Sequence, residues 1–453
     1  MRIAHLTLLC AALGAAFSSH SQTITVGANI NVTKLTGSQE ETAIAISRTN
    51  PSLIALSSNS QSGLVTRFSG NGGSTWSASN SISTAGGYDS WMGADKFGNI
   101  FLSYQESQVT KIAVSTNGGA SYAAPITIAG GGADHPEMAV GPGLTAGTQS
   151  IYLRDTTTNS RIISGTSSGL GTVSAFTVQN NQGAGNFGSS AVGPGGRTVF
   201  TVMGTGSGGV GPATLPIRYD ADGTGPGGYA LQSTISTNVG GFRPIPAQPS
   251  RTIDTQVALQ YDFSGGANNG NLYMLYTQAA NTTTNDTNIV FRRSTDNGLT
   301  FSGEVTINDD GGAKSQFFGR LAVDQTTGTL ASVWYDARNS PGNDTVELWG
   351  SFSFNAGTTW TPNVKISSGI SNGRSTNTGD GNEFGDYISI DFYNGMLAAA
   401  WADSSNSTGD NPNGTTGLDV YFAKVLVAVP EPATYLLMAL GVFALGGAAR
   451  RRG

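Results

Sequence analysis

The histidine at position 135 lies between acidic residues, in the segment Asp134-His135-Pro136-Glu137. An imidazole beside carboxylates can act as a general base, because its pKa lies near neutral pH. A loop histidine that bonds to its neighbours would have the same surroundings in sequence, and this alternative stays open. The other two histidines, His5 and His20, fall in a segment that we expect to be removed. A zinc site of His and Cys ligands is therefore excluded, and a Ser-His-Asp hydrolase could only use His135.

The N-terminus has the features of a secretory signal peptide. Arg2 is followed by an apolar run over 6–17 and by small and polar residues over 18–22. This pattern predicts a signal peptide over residues 1–22. Cys10, the single cysteine, lies inside it. The mature chain would then need no disulfide, and its stability must come from a large core.

The C-terminus combines three features in a fixed order. Pro430, Glu431 and Pro432 are followed by an apolar run over 435–449 and by Arg450, Arg451 and Arg452. The prolines keep the first part extended, the run is at the short end for a membrane-crossing helix, and the arginines hold its end in the cytoplasm. We therefore expect a C-terminal hydrophobic helix in residues 428–453.

This tail resembles the PEP-CTERM sorting signal of Gram-negative bacteria that make extracellular polysaccharide. The resemblance implies that an exosortase-type membrane protease recognises the chain at the inner membrane. Release from the cell or transfer to its surface would follow. An ordinary C-terminal membrane anchor is the alternative.

The composition argues against a nucleic-acid partner, because the net charge is −6 and only 11% of the residues are charged. Ser, Thr and Asn dominate the polar positions, and 64 residues are glycine. Such an uncharged polar surface suits extracellular work and contact with sugars.

One unit recurs seven times along the chain: a short alternating strand, a Gly-rich turn and a second apolar strand. Gly, Asn and Asp clusters at the turns allow the positive φ of tight hairpins. The spacing suits one four-stranded antiparallel sheet per unit, which predicts an all-β repeat fold. The copies are 43–56, 92–104, 138–153, 190–202, 257–276, 321–334 and 388–401.

Four of these copies are followed by the octapeptide Ser-x-Asp/Asn-x-Gly-x-Ser/Thr-aromatic. Its Ser and Asp/Asn side chains can bond the backbone of a turn, and its aromatic ring can pack beneath it. We call these octapeptides box segments. Their key residues are Ser69, Asn71, Gly73 and Trp76; Ser115, Asn117, Gly119 and Tyr122; Ser294, Asp296, Gly298 and Phe301; and Ser353, Asn355, Gly357 and Trp360.

The box segments resemble the Asp-box, or BNR repeat, of sialidase-like β-propellers. The resemblance implies a β-propeller over residues 23–427, with the box segments as structural elements away from the central channel. Seven units predict seven blades of four antiparallel strands, whereas sialidases have six, and six stays possible here. We expect residues 24–32 to supply the missing fourth strand of the seventh blade.

In a propeller, the loops that lead into the innermost strands surround the mouth of the channel. Each residue there could instead be a solvated loop residue. As catalytic candidates we consider His135, Glu137, Arg320, Glu383, Asp386 and Tyr387. The full set in these loops is Glu40, Glu41, Asp89, Trp91, Asp134, His135, Glu137, Asn186, Phe187, Asp254, Phe318, Arg320, Asp386 and Tyr387.

The sialidase resemblance implies three arginines that clamp a carboxylate, a Tyr–Glu nucleophile pair and an acid/base aspartate. The Phe-Arg-Ile-Pro motif of that family is missing from the first blade. Segment 242–246 is similar but holds an extra proline, and we interpret it as a proline-rich loop. We interpret Asp336 and Arg338 as a structural ion pair. Tyr387 and Glu383 could imitate the nucleophile pair.

Two oxygen-rich segments, 308–311 and 410–414, could hold calcium, although they lack the order of an EF-hand and are also typical of plain turns. We expect no metal and no other cofactor.

The sequence thus predicts a secreted, surface-sorted β-propeller that binds or organises extracellular polysaccharide without catalysis. The first alternative is an exo-acting glycoside hydrolase, sialidase-like, with a divergent site of carboxylates and arginines. It requires two carboxyl groups within about 5–9.5 Å of each other at one mouth of the channel. The second alternative is a protein-binding scaffold at the cell surface, which would favour an exposed apolar patch.

Overall fold

The computed structural model describes residues 22–82, 85–130, 134–156, 160–180, 182–183, 185–204, 209–223, 228–375 and 382–428. The segment of the expected C-terminal helix and sorting signal, apart from Ala428, and all but the last residue of the expected signal peptide lie outside these ranges. The chain divides into two compact units, residues 26–425 and the two ends. Every contact discussed below lies within residues 26–425.

The described residues form 31 β-strands and two short 3-10 helices, Pro194–Gly196 and Gly373–Ser375. Strand β1 (Thr23–Val26) begins the described chain, and β2 (Ile30–Asn31) follows it. Within the described ranges, no helix has both the length and the hydropathy that a membrane-spanning helix needs.

Seven sheets of the described chain follow one another, and each is built largely from consecutive antiparallel strands. The first contains β3 (Gln39–Ile46), β4 (Ile54–Ser60) and β5 (Val65–Ser69). The second contains β6 (Gly87–Ala94), β7 (Ile100–Glu106), β8 (Val109–Ser115) and β9 (Ile126–Thr127). The third contains β10 (Glu137–Pro142), β11 (Gln149–Asp155), β12 (Arg161–Gly169), β13 (Thr172–Val173) and β14 (Thr177–Gln179).

The fourth sheet contains β15 (Asn186–Val192), β16 (Thr198–Met203), β17 (Ala213–Asp220) and β18 (Ala230–Thr237). A separate two-stranded hairpin follows, made of β19 (Arg243–Ile245) and β20 (Gln248–Ile253). The fifth sheet contains β21 (Ala258–Tyr261), β22 (Leu272–Ala279), β23 (Thr287–Ser294) and β24 (Val305–Thr306). The sixth contains β25 (Gln316–Asp324), β26 (Thr329–Asp336), β27 (Glu347–Ser353) and β28 (Val364–Lys365). The seventh contains β29 (Ser389–Tyr393), β30 (Met396–Asp403) and β31 (Asp419–Ala428).

The segment near the N-terminus joins the seventh sheet. Ile30 and Asn31 of β2 pair antiparallel with Phe422 and Tyr421 of β31. The side chain of Asn31 also donates to Asp419 Oδ2 at 2.5 Å. Backbone groups of β31 that would otherwise form an open edge are therefore hydrogen-bonded.

The core lies between neighbouring sheets. Tyr273 and Phe291 of the fifth sheet pack in one cluster with Trp334 of the sixth, and Ile44 of the first packs with Val420 of the seventh. Buried apolar side chains on facing sheets are what holds such layers together. The first strands also contact one another in the order β3, β6, β10, β15, β21, β25 and β29, and β29 contacts β3.

The box segments share one set of hydrogen bonds. In the third of them, Ser294 Oγ donates to Asp296 Oδ1 at 2.7 Å and accepts from the backbone N–H of Gly298 at 2.8 Å. The same bonds occur in the other three segments. The glycine at the fifth position has positive φ, and an added Cβ would meet the preceding sheet. The residues it would meet are Phe422 for Gly73, Ala55 for Gly119, Ile217 for Gly298 and Phe291 for Gly357.

Two interpretations from the sequence are wrong, because they assigned residues to loops that the structure places in strands. The proline-rich segment 242–246 is not a loop throughout, because Arg243–Ile245 forms β19 and pairs with β20. Several residues assigned to loops lie within strands: Glu40 and Glu41 in β3, Asp89 and Trp91 in β6, Glu137 in β10, and Phe318 and Arg320 in β25. The strands begin earlier than the hydrophobic pattern indicated, because bulges interrupt it.

Candidate functional site

One residue at the start of each sheet has an unusual backbone conformation. Positive φ, which L-residues with a side chain rarely adopt, occurs at equivalent places before or within the first strand. A register shift accompanies it in β3, β6, β15 and β25. Such a bulge re-aims the side chains at the end of a strand. The residues are Glu41, Asp89, His135, Phe187, Gln256 and Phe318, with Gly385 in the seventh sheet.

Three of these side chains come together around one cavity of about 250 Å³, which we call the His135 pocket. The hairpin β19–β20 contributes to its wall through Arg251, and Phe187 and Phe242 line another part. The charged groups that line it are the carboxyls of Asp89, Asp134, Asp254 and Asp386 and the cations of His135 and Arg251.

His135 is surrounded by carboxylates. Its Nε2 lies 3.6 Å from Asp386 Oδ2 and 4.0 Å from Asp134 Oδ1. Burial lowers the pKa of His135, but the charges of Asp89, Asp386 and Asp134 outweigh it and raise the pKa to about 9. The imidazole is therefore a cation at neutral pH. Because these carboxylates keep it protonated, His135 can act as a proton donor or as a fixed positive charge, and not as a general base.

A network of amides holds the carboxylates close together. Gln105 Nε2 donates to Asp89 Oδ2 and, at 3.3 Å, to Asp134 Oδ1. Asn59 donates to Glu41 and accepts from the backbone N–H of Asp89 at 2.9 Å. Burial, followed by the charges of Asp89 and Asp386, raises the pKa of Glu41 well above its usual value. Glu41 thus favours its neutral form behind the pocket.

Arg251 is the second cationic residue of the His135 pocket. Its Nε lies 2.9 Å from Asp386 Oδ1, its Nη2 bonds Asp386 Oδ2, and the same Nη2 lies 3.5 Å from Glu41 Oε1. The side chain remains 37% exposed. This fork-to-fork pair is the geometry that guanidinium groups prefer with carboxylates.

Other contacts tie the hairpin to the segment before β29. Gln248 Nε2 donates to the backbone oxygen of Gly385 at 2.6 Å, and Gln248 Oε1 accepts from Phe384 N at 3.1 Å. Glu383 accepts from the backbone N–H groups of Ser250 and Arg251. The hairpin therefore spans from the chain before the fifth sheet to the chain before the seventh.

Asp254 is the most deeply buried carboxyl of the pocket. The residue is 3% exposed. Its Oδ1 accepts from the backbone N–H of Gln256. Burial, followed by the charge of Asp386, raises the pKa of Asp254 to about 7. This side chain titrates near neutral pH while it faces the cavity.

A second group of side chains, which we call the inner layer, lies two residues beyond the positive-φ positions: Trp91, Glu137, Ser189, Arg320 and Tyr387. Glu137 Oε1 accepts from Ser189 Oγ at 2.8 Å. The Arg320 guanidinium lies 4.5 Å from the ring centre of Trp91 and 5.5 Å from that of Tyr387. Burial, only partly offset by Arg154 and Arg320, raises the pKa of Glu137 to about 7.

The catalytic candidates from the sequence therefore separate into three groups. His135 and Asp386 line the pocket, whereas Glu137, Arg320 and Tyr387 are buried in the inner layer. Glu383 holds the hairpin backbone. Tyr387 donates its hydroxyl to the backbone oxygen of Ser90 at 3.3 Å, so Tyr387 and Glu383 bond to different partners.

Sequence reasoning missed three residues of the site: Asn59, Gln105 and Arg251. Each lies on a second strand or on the hairpin, away from the loops that the repeat pattern identifies. The segment Gln248–Ile253 alternates polar and apolar residues only weakly, so no periodic signal indicated a strand there.

One group in the pocket has the spacing of metal ligands. Ligand atoms of Asp89, Asp134 and His135 all lie within 4.8 Å of one another. The raised pKa of His135 keeps the imidazole protonated at neutral pH, so a metal would have to displace that proton to bind all three ligands. In the two oxygen-rich segments, Asp309 pairs with Arg338 at 2.8 Å and Asp410 pairs with Lys34 at 2.7 Å. Asp336 also pairs with Arg338, at 2.8 Å.

Comparison with known families confirms the predicted tail. Residues 428–452 match the PEP-CTERM protein-sorting motif. This signal indicates export through exosortase to the cell surface of Gram-negative bacteria. No curated protein matches the sequence significantly.

Solved structures give distant similarities. A protein of unknown function from Dyadobacter fermentans is 10% identical, with 89% of this chain and 99% of that chain covered and a TM-score of 0.48. The GH93 α-L-arabinofuranosidase of Fusarium graminearum with arabinobiose is 11% identical, with 72% and 98% covered and a TM-score of 0.45. Trypanosoma rangeli sialidase with the inhibitor DANA is 11% identical, with 86% and 55% covered and a TM-score of 0.42. At such values these similarities assign no activity to this chain.

Proposed function

We propose that this protein is an exosortase-sorted extracellular β-propeller of seven blades whose His135 pocket binds a polysaccharide without catalysis. The contacts of the first strands in cyclic order, with β29 on β3, support seven blades. The pairing of β2 with β31 supports closure of the ring by the two ends of the mature chain. In this arrangement the His135 pocket lies at one mouth of the central channel.

The observation that carries this proposal is the mixed lining of the pocket. Phe242 exposes 49% of its surface beside a wall of carboxylates and one partly exposed guanidinium. A sugar unit presents hydroxyl groups that charged side chains can bond and a C–H face that an aromatic ring can cover. A concave site with few polar groups and an aromatic wall is a typical binding site for such a ligand.

The positions of the arginines support a ligand other than sialic acid. Arg251 is already paired with Asp386, and Arg154 and Arg320 are buried at 1% and 5% exposure. A clamp for a sugar carboxylate would need these guanidinium groups to be free and accessible.

Binding can be tested with the purified chain from residue 23 to residue 427 and a panel of extracellular polysaccharides and their oligosaccharides. We expect affinity electrophoresis to show retention by at least one polymer, and Phe242→Ala to abolish most of it. Leu299→Ala, which truncates a side chain of similar exposure (55%) in the turn between β23 and β24, serves as the matched control. Retention by no polymer, or equal retention of the two variants, would contradict the proposal.

A second candidate function is glycoside hydrolysis at the same pocket. Oxygens of Asp134 and Asp386 lie within about 8 Å of each other, because each is no more than 4.0 Å from His135 Nε2. This separation is compatible with the carboxyl pair of a glycosidase. Asp254, with its pKa near 7, has the environment of a general acid.

Hydrolysis would be detected as new reducing ends after incubation with a polymer that the protein retains. Asp386→Asn should abolish their release, whereas a purely binding protein releases none from the start. Release by the native chain that is unchanged in Asp386→Asn would rule out this pocket as the catalytic site.

A further inference from the structure

The charges of the His135 pocket are unbalanced. Four carboxyl groups line it against two cationic groups. Arg251 is paired with Asp386, so it does not balance the charges of Asp89 and Asp134. The pocket already stabilises one positive charge that is not a guanidinium, since the imidazole of His135 is held as a cation among the aspartates.

Asp254 provides an independent indication of a missing partner. It is 97% buried, lines the cavity and accepts one hydrogen bond, at Oδ1 from Gln256 N. Among the residues that the structure describes, its Oδ2 accepts no hydrogen bond. This oxygen is not fully buried, and because Asp254 lines the cavity, a ligand there could supply the donor.

Asp134 offers a second carboxylate on the same cavity. Its side chain is 50% exposed. Gln105 donates to its Oδ1. The T-shaped pair of Phe187 and Phe242, with ring centres 5.9 Å apart, adds an aromatic wall. A protonated amine is attracted both by carboxylates and by the face of an aromatic ring.

We propose that the ligand of the His135 pocket is an amino-sugar unit with a free, protonated amine, whose ammonium group is bound by Asp254 and Asp134. This inference rests on the proposed saccharide-binding function and specifies its substrate class. An ammonium has three donors and no acceptor, which matches an acceptor-rich wall. A uronic or sialic acid would be repelled, and an N-acetylated amine would bring no charge to balance the pocket.

The test uses three oligosaccharides of equal length: a glucosamine oligomer with free amines, the corresponding N-acetylglucosamine oligomer and a galacturonic acid oligomer. Isothermal titration calorimetry at pH 7 and low salt should show the glucosamine oligomer binding at least about tenfold more tightly than either of the others. Its affinity should fall as salt is raised, because the attraction is between charges at a partly exposed site.

Asp254→Asn tests whether the carboxylate of Asp254 binds the ammonium group. The asparagine keeps an acceptor for Gln256 N but removes the charge, so we expect a loss of about tenfold or more for the glucosamine oligomer and an unchanged affinity for the N-acetylated one. Glu106→Gln, which removes a carboxylate from the end of β7, is the matched control and should bind as the native chain does. Should Asp254→Asn fail to fold, Asp134→Asn at the half-exposed position gives the same comparison.

The outcomes distinguish the binding of an amino sugar from the binding of saccharides in general. Equal or tighter binding of the N-acetylated or acidic oligomer would overturn the amine inference and leave the saccharide-binding proposal in place. Native affinity for the glucosamine oligomer in folded Asp254→Asn and Asp134→Asn would also overturn it. Retention by none of these oligomers and by no polymer of the wider panel would remove the proposed function itself.

Discussion

Nε of Arg251 lies 2.9 Å from Oδ1 of Asp386, so a single ion pair links the hairpin β19–β20 to the segment before β29. The two residues are 135 positions apart in the chain. With Gln248 and Glu383, this pair fixes the wall of the His135 pocket.

Arg251→Met should loosen the hairpin. Because the side chain is 37% exposed, water and salt screen the pair, and we expect the free energy of unfolding to fall by only about 1 kcal/mol. Amides of Gln248–Ile253 should exchange hydrogen faster, which mass spectrometry can measure. Arg293→Met, at an arginine whose side chain donates to Ala356 O and Thr358 Oγ1 in the box segment of the sixth sheet, is the control. Unchanged exchange in the hairpin would show that the other contacts hold it alone.

Gly357→Ala tests the box segments. Both Gly357 and Gly409 have positive φ, at +78° and +76°, where alanine costs about 1–2 kcal/mol. A Cβ at Gly357 would also overlap the ring of Phe291, whereas a Cβ at Gly409 meets nothing within 4 Å. Overpacking should add about 1–3 kcal/mol at Gly357 only. Denaturant unfolding of the two variants gives the difference, and equal losses would mean that the box does not depend on close approach to the preceding sheet.

The charge of His135 predicts how stability depends on pH. Its folded pKa is about 9, above its ordinary value of 6.5, because Asp89, Asp386 and Asp134 outweigh burial. The stabilisation is therefore fully present below pH 6.5 and is lost as pH rises through 9. His135→Gln should flatten the fall in unfolding free energy over this window. In the chain from residue 23, His135 gives the only histidine NMR signal, and a midpoint near 6.5 would contradict the prediction.

Asp254→Asn should stabilise the protein at alkaline pH. Burial raises the folded pKa of Asp254 to about 7, and the charge of Asp386 adds to this effect, whereas the hydrogen bond from Gln256 N and the charges of His135 and Arg320 oppose it. The contribution of a raised carboxyl is present below its unfolded pKa, near 4, and is lost as pH rises through 7. The advantage of the variant should therefore grow between pH 4 and 7 and level off above, at a few kcal/mol at most. Thermal unfolding across this range measures it, and an advantage that is constant with pH would rule out titration of Asp254 as the cause.

Replacement of Pro430, Glu431 and Pro432 by alanine should prevent processing of the chain. Exosortase sorting depends on the tail, so we expect the unprocessed protein to accumulate in the inner-membrane fraction. Immunoblots of membrane, surface and medium fractions give the distribution. Thr434→Ala is the neighbouring control. A triple variant that reaches the surface as the native chain does would mean that another feature of the tail directs sorting.

Local interactions explain what could be predicted of the fold. The box segments could be recognised in the sequence because their hydrogen bonds are local. Ser294 accepts from Gly298 N only four residues away, and a bond of that kind requires a fixed spacing of residue types. The strand–turn–strand units were visible for the same reason. Among the site residues, the conspicuous segment around His135 and the position of Asp386 before a repeat were enough to suggest both as candidates.

The sequence by itself determined the sorting tail, the all-β character and the repeated unit, because each depends on residues close together in the chain. Only the tertiary structure decided that Arg251 meets Asp386, that Gln105 joins Asp89 to Asp134, and that Asp254 lines a cavity. Bulges with positive φ aim these side chains, and contacts between distant sheets bring them together. Neither leaves a periodic signal, since the partners are separated by whole sheets and their pairing depends on how those sheets pack.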